Sequence, residues 1–231
     1  YVVGLWLSPN GNELYAVGQS DNAVAVLRRN ATTGRLTFEQ AVKDGQDGVD
    51  GLAGACGVTV TADGTHVYAV GSYDDAVSTF GRDAGTGRLT LVQSLRDSQG
   101  GVDGPNYAWA WALSPDGNQF YVVGEVDDSV AVFDRDAVTG QMTFAEVHRD
   151  GIGGVDGLYY PSDVAVSPDG DHVYVTSIYD QAIALFARNA ADGRLTFVER
   201  LTDTQGGGDS LSGASGVAMA SDGRHVFVAA M

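Results

Sequence analysis

Ser114-Pro115-Asp116-Gly117, with Tyr121-Val122 just beyond it, is written again as Ser167-Pro168-Asp169-Gly170 with Tyr174-Val175. Near copies put the Asp or Asn of this turn at Asn10, Asp63, Asp116, Asp169 and Asp222, always 53 residues apart. An aromatic follows five residues later each time, at Tyr15, Tyr68, Tyr121, Tyr174 and Phe227. Other registers keep the same spacing: Asp21, Asp74, Asp127 and Asp180; Arg29, Arg82, Arg135 and Arg188; Gly34, Gly87, Gly140 and Gly193; Asp50, Asp103, Asp156 and Asp209. So many registers in phase define an internal repeat, read before any single motif.

Within a repeat the pattern predicts four short strands. In the second they are 57–61, 66–70, 76–80 and 89–95, separated by turns at Asp63-Gly64, Ser72 to Asp75 and Asp83 to Gly87. None has sustained 3.6-residue periodicity, and four antiparallel strands repeated radially is the pattern of a β-propeller. A calcium-binding β-roll is excluded because Gly100-Gly101-Val102-Asp103-Gly104 occurs once per 53 residues rather than every nine. A β-sandwich would not repeat its loops in phase. The expected fold is all-β, with four-stranded blades at about 4–56, 57–109, 110–162 and 163–215 and two strands of a fifth at 216–231. Four blades and a remnant do not close a ring, and the chain opens at Tyr1 with neither an initiator Met nor a signal peptide. The expectation is a portion of a larger propeller, such as a seven-bladed one, or one that self-associates through open blade edges.

The Ser-Pro-Asp-Gly turns, the Tyr-Val pairs and Thr-Gly-Arg-Leu-Thr at 33–37 and 86–90 resemble the seven-bladed lactonase-like propellers, including 6-phosphogluconolactonase-type and muconate-cyclase-type enzymes, and the YVTN repeats of surface-layer propellers. The resemblance covers the whole chain. It implies the fold, with lactone hydrolysis as one activity, but its motifs build blades and mark no catalytic group.

Charge is one-sided: 30 acids, 25 of them Asp, against 13 cations give a net charge of −17. That excludes a nucleic-acid backbone or anionic lipid as partner. No apolar run is long enough to cross a membrane as a helix. Sixteen of the acids fall in the crossovers (44–51, 97–104, 150–157, 203–210) and in the loops between strands two and three, where no Lys or Arg lies. One blade face is therefore expected to be strongly acidic, and to bind a small molecule, a sugar or a protein.

Paired carboxylates with glycines and free carbonyls fit Ca²⁺. Asp97 and Asp103 could chelate from one crossover with Asp74 of the same blade, and Asp127, Asp150 and Asp156 are the corresponding candidates one repeat on. Asp-Gly pairs are equally turn formers. Residues that break the repeat mark a unique site. Tyr107 and Trp109 in the third repeat, and Tyr159 and Tyr160 in the fourth, stand where others are small. Aromatic walls with carboxylates suit a sugar, polyol or cation.

Catalytic signals are sparse. His66, His172 and His225 share one repeat position, whereas His148 is unique and precedes Asp150, making it a candidate general base. Cys56 stands alone, and there is no Gly-x-Ser-x-Gly, zinc-ligand set or phosphate loop. An acidic face disfavours a phosphorylated lactone. The first expectation is a non-catalytic binding or scaffold propeller, calcium-assisted, at a cell surface, in a periplasm or outside the cell; the alternative is a lactone hydrolase.

Overall fold

The computed structural model describes residues 1–203 and 210–231. It contains four antiparallel four-stranded sheets and one two-stranded sheet. The first sheet comprises β1 (Val2–Leu7), β2 (Glu13–Gly18), β3 (Ala23–Arg29) and β4 (Leu36–Lys43), and the second β5 (Ala55–Val60), β6 (His66–Gly71), β7 (Ala76–Arg82) and β8 (Leu89–Arg96). The third holds β9 (Ala108–Leu113), β10 (Gln119–Gly124), β11 (Ser129–Arg135) and β12 (Met142–Arg149), and the fourth β13 (Pro161–Val166), β14 (His172–Ser177), β15 (Ala182–Arg188) and β16 (Leu195–Thr202). β17 (Ala214–Met219) and β18 (Val226–Ala230) form the last. Strand order in every sheet is sequential, as expected of propeller blades. Each first strand starts two residues before the repeat boundary read from sequence, because the Ala or Pro at 55, 108, 161 and 214 already pairs with the next strand.

The chain divides into two compact units, Tyr1–Gly100 with Asp136–Met142, and Gly101–Arg135 with Thr143–Met231. In the first, Tyr15, Val17, Val24 and Val26 pack with Val58, Val60, Val67 and Phe80 in one buried cluster. In the second, Tyr121, Val123, Val130 and Val132 pack with Val164, Val173, Val175 and Phe186. Each such side chain contributes about 1.5–3 kcal/mol by leaving water. β6 and β10 are buried at every residue, whereas β2 alternates, the mark of a strand covered on one face. Leu5 and Leu7 of β1 are 61% and 46% exposed, against 3% and 5% for their repeat equivalents Val58 and Val60.

The repeated aromatic does more than fill space. The buried Tyr15 hydroxyl donates to the Gly87 carbonyl at 3.1 Å and accepts from Arg82 Nε at 2.8 Å. Arg82 also pairs with buried Glu13 at 2.5 Å and donates to the Gly64 carbonyl. Gly87 is required here: at φ +74°, a Cβ would lie 2.3 Å from Glu13 Cγ. The second unit repeats the arrangement. Tyr121 donates to the Gly193 carbonyl at 2.9 Å and accepts from Arg188 Nε at 2.7 Å, while Arg188 reaches Asp116 and Gln119. Burial pushes the Tyr121 hydroxyl up to about 12, so it stays a donor.

A second seam joins neighbouring sheets through side-chain amides. Gln40 donates to the Leu89 carbonyl and accepts from its N–H, at 3.0 and 2.8 Å. Gln93 treats Met142 the same way. In the third repeat the position is Glu146, whose Oε1 accepts from Leu195 N at 2.7 Å; a carboxylate has no N–H for the return bond.

Two stability outcomes follow. Tyr121→Phe leaves the Gly193 carbonyl and Arg188 Nε short of a partner and costs about 1–3 kcal/mol in denaturant unfolding. Glu146→Gln restores the missing donor and raises the melting midpoint by about 2–4 °C, the shift that about 1 kcal/mol gives a domain of this size.

Candidate functional site

The acids of the crossovers are first of all loop anchors. Asp44 Oδ1 accepts from the N–H groups of Gly51 and Leu52, both at 3.0 Å. Asp150 does the same for Gly157 and Leu158, and Asp203 for Ser210 and Leu211. The loop between strands two and three adds a further carboxylate: Asp74 caps Ala53 N, and Asp180 caps Tyr159 N, each at 2.8 Å. Asp74 therefore gathers with Asp44 and Asp50 of the preceding crossover. The sequence had grouped it with the acids that follow its own blade; the crossover instead runs back over the loop it enters. Asp150, Asp156 and Asp180 form the equivalent trio, and in each trio one carboxylate oxygen per residue lies within 4.8 Å of the others. Asp209 lies outside the described residues.

An arginine sits in each of these acid groups. Arg96, the last residue of β8, pairs with Asp50 and, at 3.0 Å, with Asp74. Arg149, at the end of β12, binds Asp103 at 2.5 Å and Asp127 at 3.1 Å, which holds the Asp103 carboxyl below its usual range. Arg200 binds Asp156 at 2.8 Å. The crossovers contain no cation in sequence, but the strand ends deliver one, so the expected acidity of this face is partly neutralised. Asp97 donates its N–H to the Asp75 carbonyl, and its carboxylate accepts from Ser98.

The four predicted aromatics fall in the second unit. Tyr107 and Trp109 stack with ring centres 6.2 Å apart and planes 6° from parallel. Tyr159 and Tyr160 both contact Tyr179, at 5.3 and 4.6 Å. Tyr160 donates its hydroxyl to the carboxylate of Glu125, a residue only 6% exposed. Burial raises Glu125 above the ordinary carboxylate range, with the Tyr160 hydrogen bond opposing. Burial likewise raises Tyr160, and the Glu125 charge adds to it. Asp128 accepts from Tyr160 N at 2.8 Å and is also raised, mainly by burial and further by Asp150, Asp180 and Asp127.

Glu125 and Tyr179 were not singled out in the sequence. Their signal was present: Glu125 stands where the other repeats have Gln19, Ser72 and Ile178. Asp163 was missed in the same way. It replaces Gly4, Gly57, Ala110 and Gly216 on a first strand, its carboxyl accepts from Val164 N and Val217 N, and burial raises it. His148 lies elsewhere. It is on β12, at the opposite sheet edge from the β9 strand that carries Trp109, with Nε2 3.2 Å from Glu146 and its ring against Phe186. The histidine thus belongs to the seam between sheets rather than to the aromatic cluster.

What remains is a nearly buried carboxyl of raised pKa, held by a phenol at the edge of an aromatic wall. Such a group can take a proton from water, and the rings can hold the apolar face of a small ring ligand.

Comparison with known proteins gives this arrangement a context. The solved periplasmic gluconolactonase PpgL of Pseudomonas aeruginosa superposes with a TM-score of 0.72 at 25% identity, over 87% of this chain and 54% of that one. A Bacteroides uniformis protein provisionally described as a 6-phosphogluconolactonase gives 0.73 at 18% identity, over 87% and 55%. A protein from Lactobacillus plantarum gives 0.75 at 20%, over 95% and 61%. The chain thus spans between 54% and 61% of the length of these structures. No curated protein sequence matches it. A family model described as "Lactonase, 7-bladed beta-propeller" matches residues 5–101 and 110–207. With most of its length matched, the chain belongs to the seven-bladed lactonase propeller family.

Proposed function

We propose that this chain is the lactone-binding part of a lactone-hydrolysing propeller, with Glu125 as the group that activates water. The observation that carries the reading is Glu125: a residue 6% exposed, whose carboxyl is raised by burial and bonded to the Tyr160 hydroxyl beside the aromatic wall. Family membership and the likeness to a gluconolactonase support the alternative expected from sequence, lactone hydrolysis, over a non-catalytic scaffold.

The step balances simply. The Glu125 carboxylate takes a proton from water as the water oxygen bonds to the lactone carbonyl carbon. The tetrahedral intermediate then expels the ring oxygen, which receives that proton, and the open-chain hydroxy acid leaves. Tyr160 orients the carboxylate, and the aromatic rings exclude bulk water from it.

Hydrolysis of glucono-1,5-lactone by the 231-residue chain, followed in a pH-stat, tests this. Glu125→Gln should lower kcat by about 10²–10⁴, the usual contribution of a general base. The parent rate should rise with pH as Glu125 ionises. An unchanged rate in the variant removes Glu125 from the mechanism.

The same variant has a stability signature. Because the folded pKa is raised, the folded chain keeps a proton that the unfolded chain releases between the ordinary glutamate range and the raised value. The stability tied to this group is complete below that interval and is lost as pH rises through it. Glu125→Gln should therefore melt above the parent near neutral pH, and the gap should close at about pH 4.

Calcium is the second reading, and the Asp44, Asp50, Asp74 and Asp150, Asp156, Asp180 trios are its observation. An ion there would have to displace Arg96 or Arg200 from its carboxylates. Calorimetric titration of chelator-stripped protein with Ca²⁺ should give heat and a higher melting temperature on this reading; neither change would leave the trios as ionic clasps alone.

A further inference from the structure

One backbone position is shared by the repeats and filled in two ways. Gly54, Tyr107, Tyr160 and Gly213 precede the first strand of successive sheets, and their φ values are +65°, +53°, +60° and +69°. The conformation is imposed from outside. The carbonyl of each accepts an N–H from just beyond the second strand or from its equivalent: Ser72, Glu125, Ile178 and Met231. Glycine adopts this geometry freely, and a bulky aromatic does not. Tyr1 stands at the same register in the first repeat, its carbonyl accepting from Gln19 N; Tyr107 and Tyr160 hold with strain a left-handed conformation that Gly54 and Gly213 adopt freely.

In the second sheet the space is closed to any side chain, since a Cβ on Gly54 would meet the Tyr73 ring at 2.6 Å and Ser72 Oγ at 2.7 Å. In the third repeat Val126 replaces that ring beside Glu125; in the fourth the ring remains, as Tyr179, and Ile178 replaces the serine. Each of the two strained tyrosines sits against a second ring: Trp109 stacks with Tyr107, and Tyr179 lies tilted by 33° beside Tyr160 with ring centres 4.6 Å apart. Trp109, Tyr159 and Tyr179 remain 38%, 50% and 58% exposed. These are flat aromatic faces held open to solvent rather than packed into a core.

Carboxylates outnumber cations around them. Glu125, Asp128, Asp150 and Asp180 lie about Tyr160, and the nearby cations Arg149 and Arg200 are committed to Asp103, Asp127 and Asp156. A phosphate dianion meets repulsion there, whereas hydroxyl groups meet acceptors.

We propose that Tyr107 and Tyr160 are specificity residues, kept in a strained backbone position to stack an uncharged polyhydroxylated ring, and that the site selects an unphosphorylated sugar lactone over its phosphate ester. This rests on the lactone reading above for the identity of the reacting group, but ring recognition can be measured without catalysis.

The test uses calorimetric binding of 1,5-anhydroglucitol, a ring that cannot be hydrolysed, and of its 6-phosphate. The parent chain should bind the neutral ring at least tenfold more tightly than the phosphate. Tyr107→Gly and Tyr160→Gly install the residue that Gly54 and Gly213 supply in the same left-handed conformation, so both should fold and melt at or above the parent temperature while binding the ring at least tenfold more weakly. Equal or tighter binding of the phosphate overturns the proposal. So does ring affinity unchanged in both glycine variants, or a parent that binds neither ring. Lactone hydrolysis measured alongside judges the catalytic reading separately: a chain that binds the neutral ring but opens no lactone keeps the specificity and loses the reaction.

Discussion

A tyrosine hydroxyl buried between two sheets, donating to one backbone carbonyl and receiving from one guanidinium, is the interaction on which the rest of the structure depends. Tyr15 with Gly87 and Arg82, and Tyr121 with Gly193 and Arg188, place a charged group and a phenol where little water reaches. Such groups are tolerable only when every polar atom finds a partner. The requirement fixes several residues at once: the aromatic must be tyrosine, the turn must be glycine so that its carbonyl can approach, and an acceptor such as Glu13 or Asp116 must complete the guanidinium. One hydrogen-bonding demand thus explains four of the registers seen in the sequence.

The acidic loops obey the same logic. Asp44 and Asp150 spend their oxygens on pairs of backbone N–H groups, and Asp74 and Asp180 cap the next residue along. The carboxylates shape the crossovers, and the arginines at the strand ends offset their mutual repulsion. This shaping holds the residue before each first strand in a left-handed conformation. Where that residue is glycine the loop is only a connection. Where it is Tyr107 or Tyr160, the same loop presents an aromatic ring.

The blades were legible in the sequence because their determinants recur: turn, aromatic, arginine and glycine all return every 53 residues. Strand number, order and most strand limits could be read from one repeat and carried to the next. The candidate site was only half legible. Tyr107, Trp109, Tyr159 and Tyr160 stood out as large residues at small positions, but Glu125 did not, because a glutamate among many acids looks like surface. Its burial depends on a contact with Tyr160 in the next repeat, which no single repeat contains. The arginines were missed for a related reason: Arg96 and Arg149 end a strand, and only the bend of the chain carries them into the acid groups. His148 stood out because its register otherwise holds Val42, Leu95 and Leu201, and its ring lies beside Glu146, at the position that Gln40 and Gln93 fill with paired amide bonds.

The tyrosine tie reaches only to the adjacent sheet, and this bears on how such a chain can change over generations. A segment of one repeat length brings its own turn, aromatic, arginine and glycine, so copying or losing it leaves every remaining junction chemically whole. Gene duplication can therefore alter the number of blades without redesigning any interface. The Glu125–Tyr160 pair has no such freedom. Its halves lie in different repeats, so a copied segment carries one half without the other, and the pair marks a junction that recombination must leave intact.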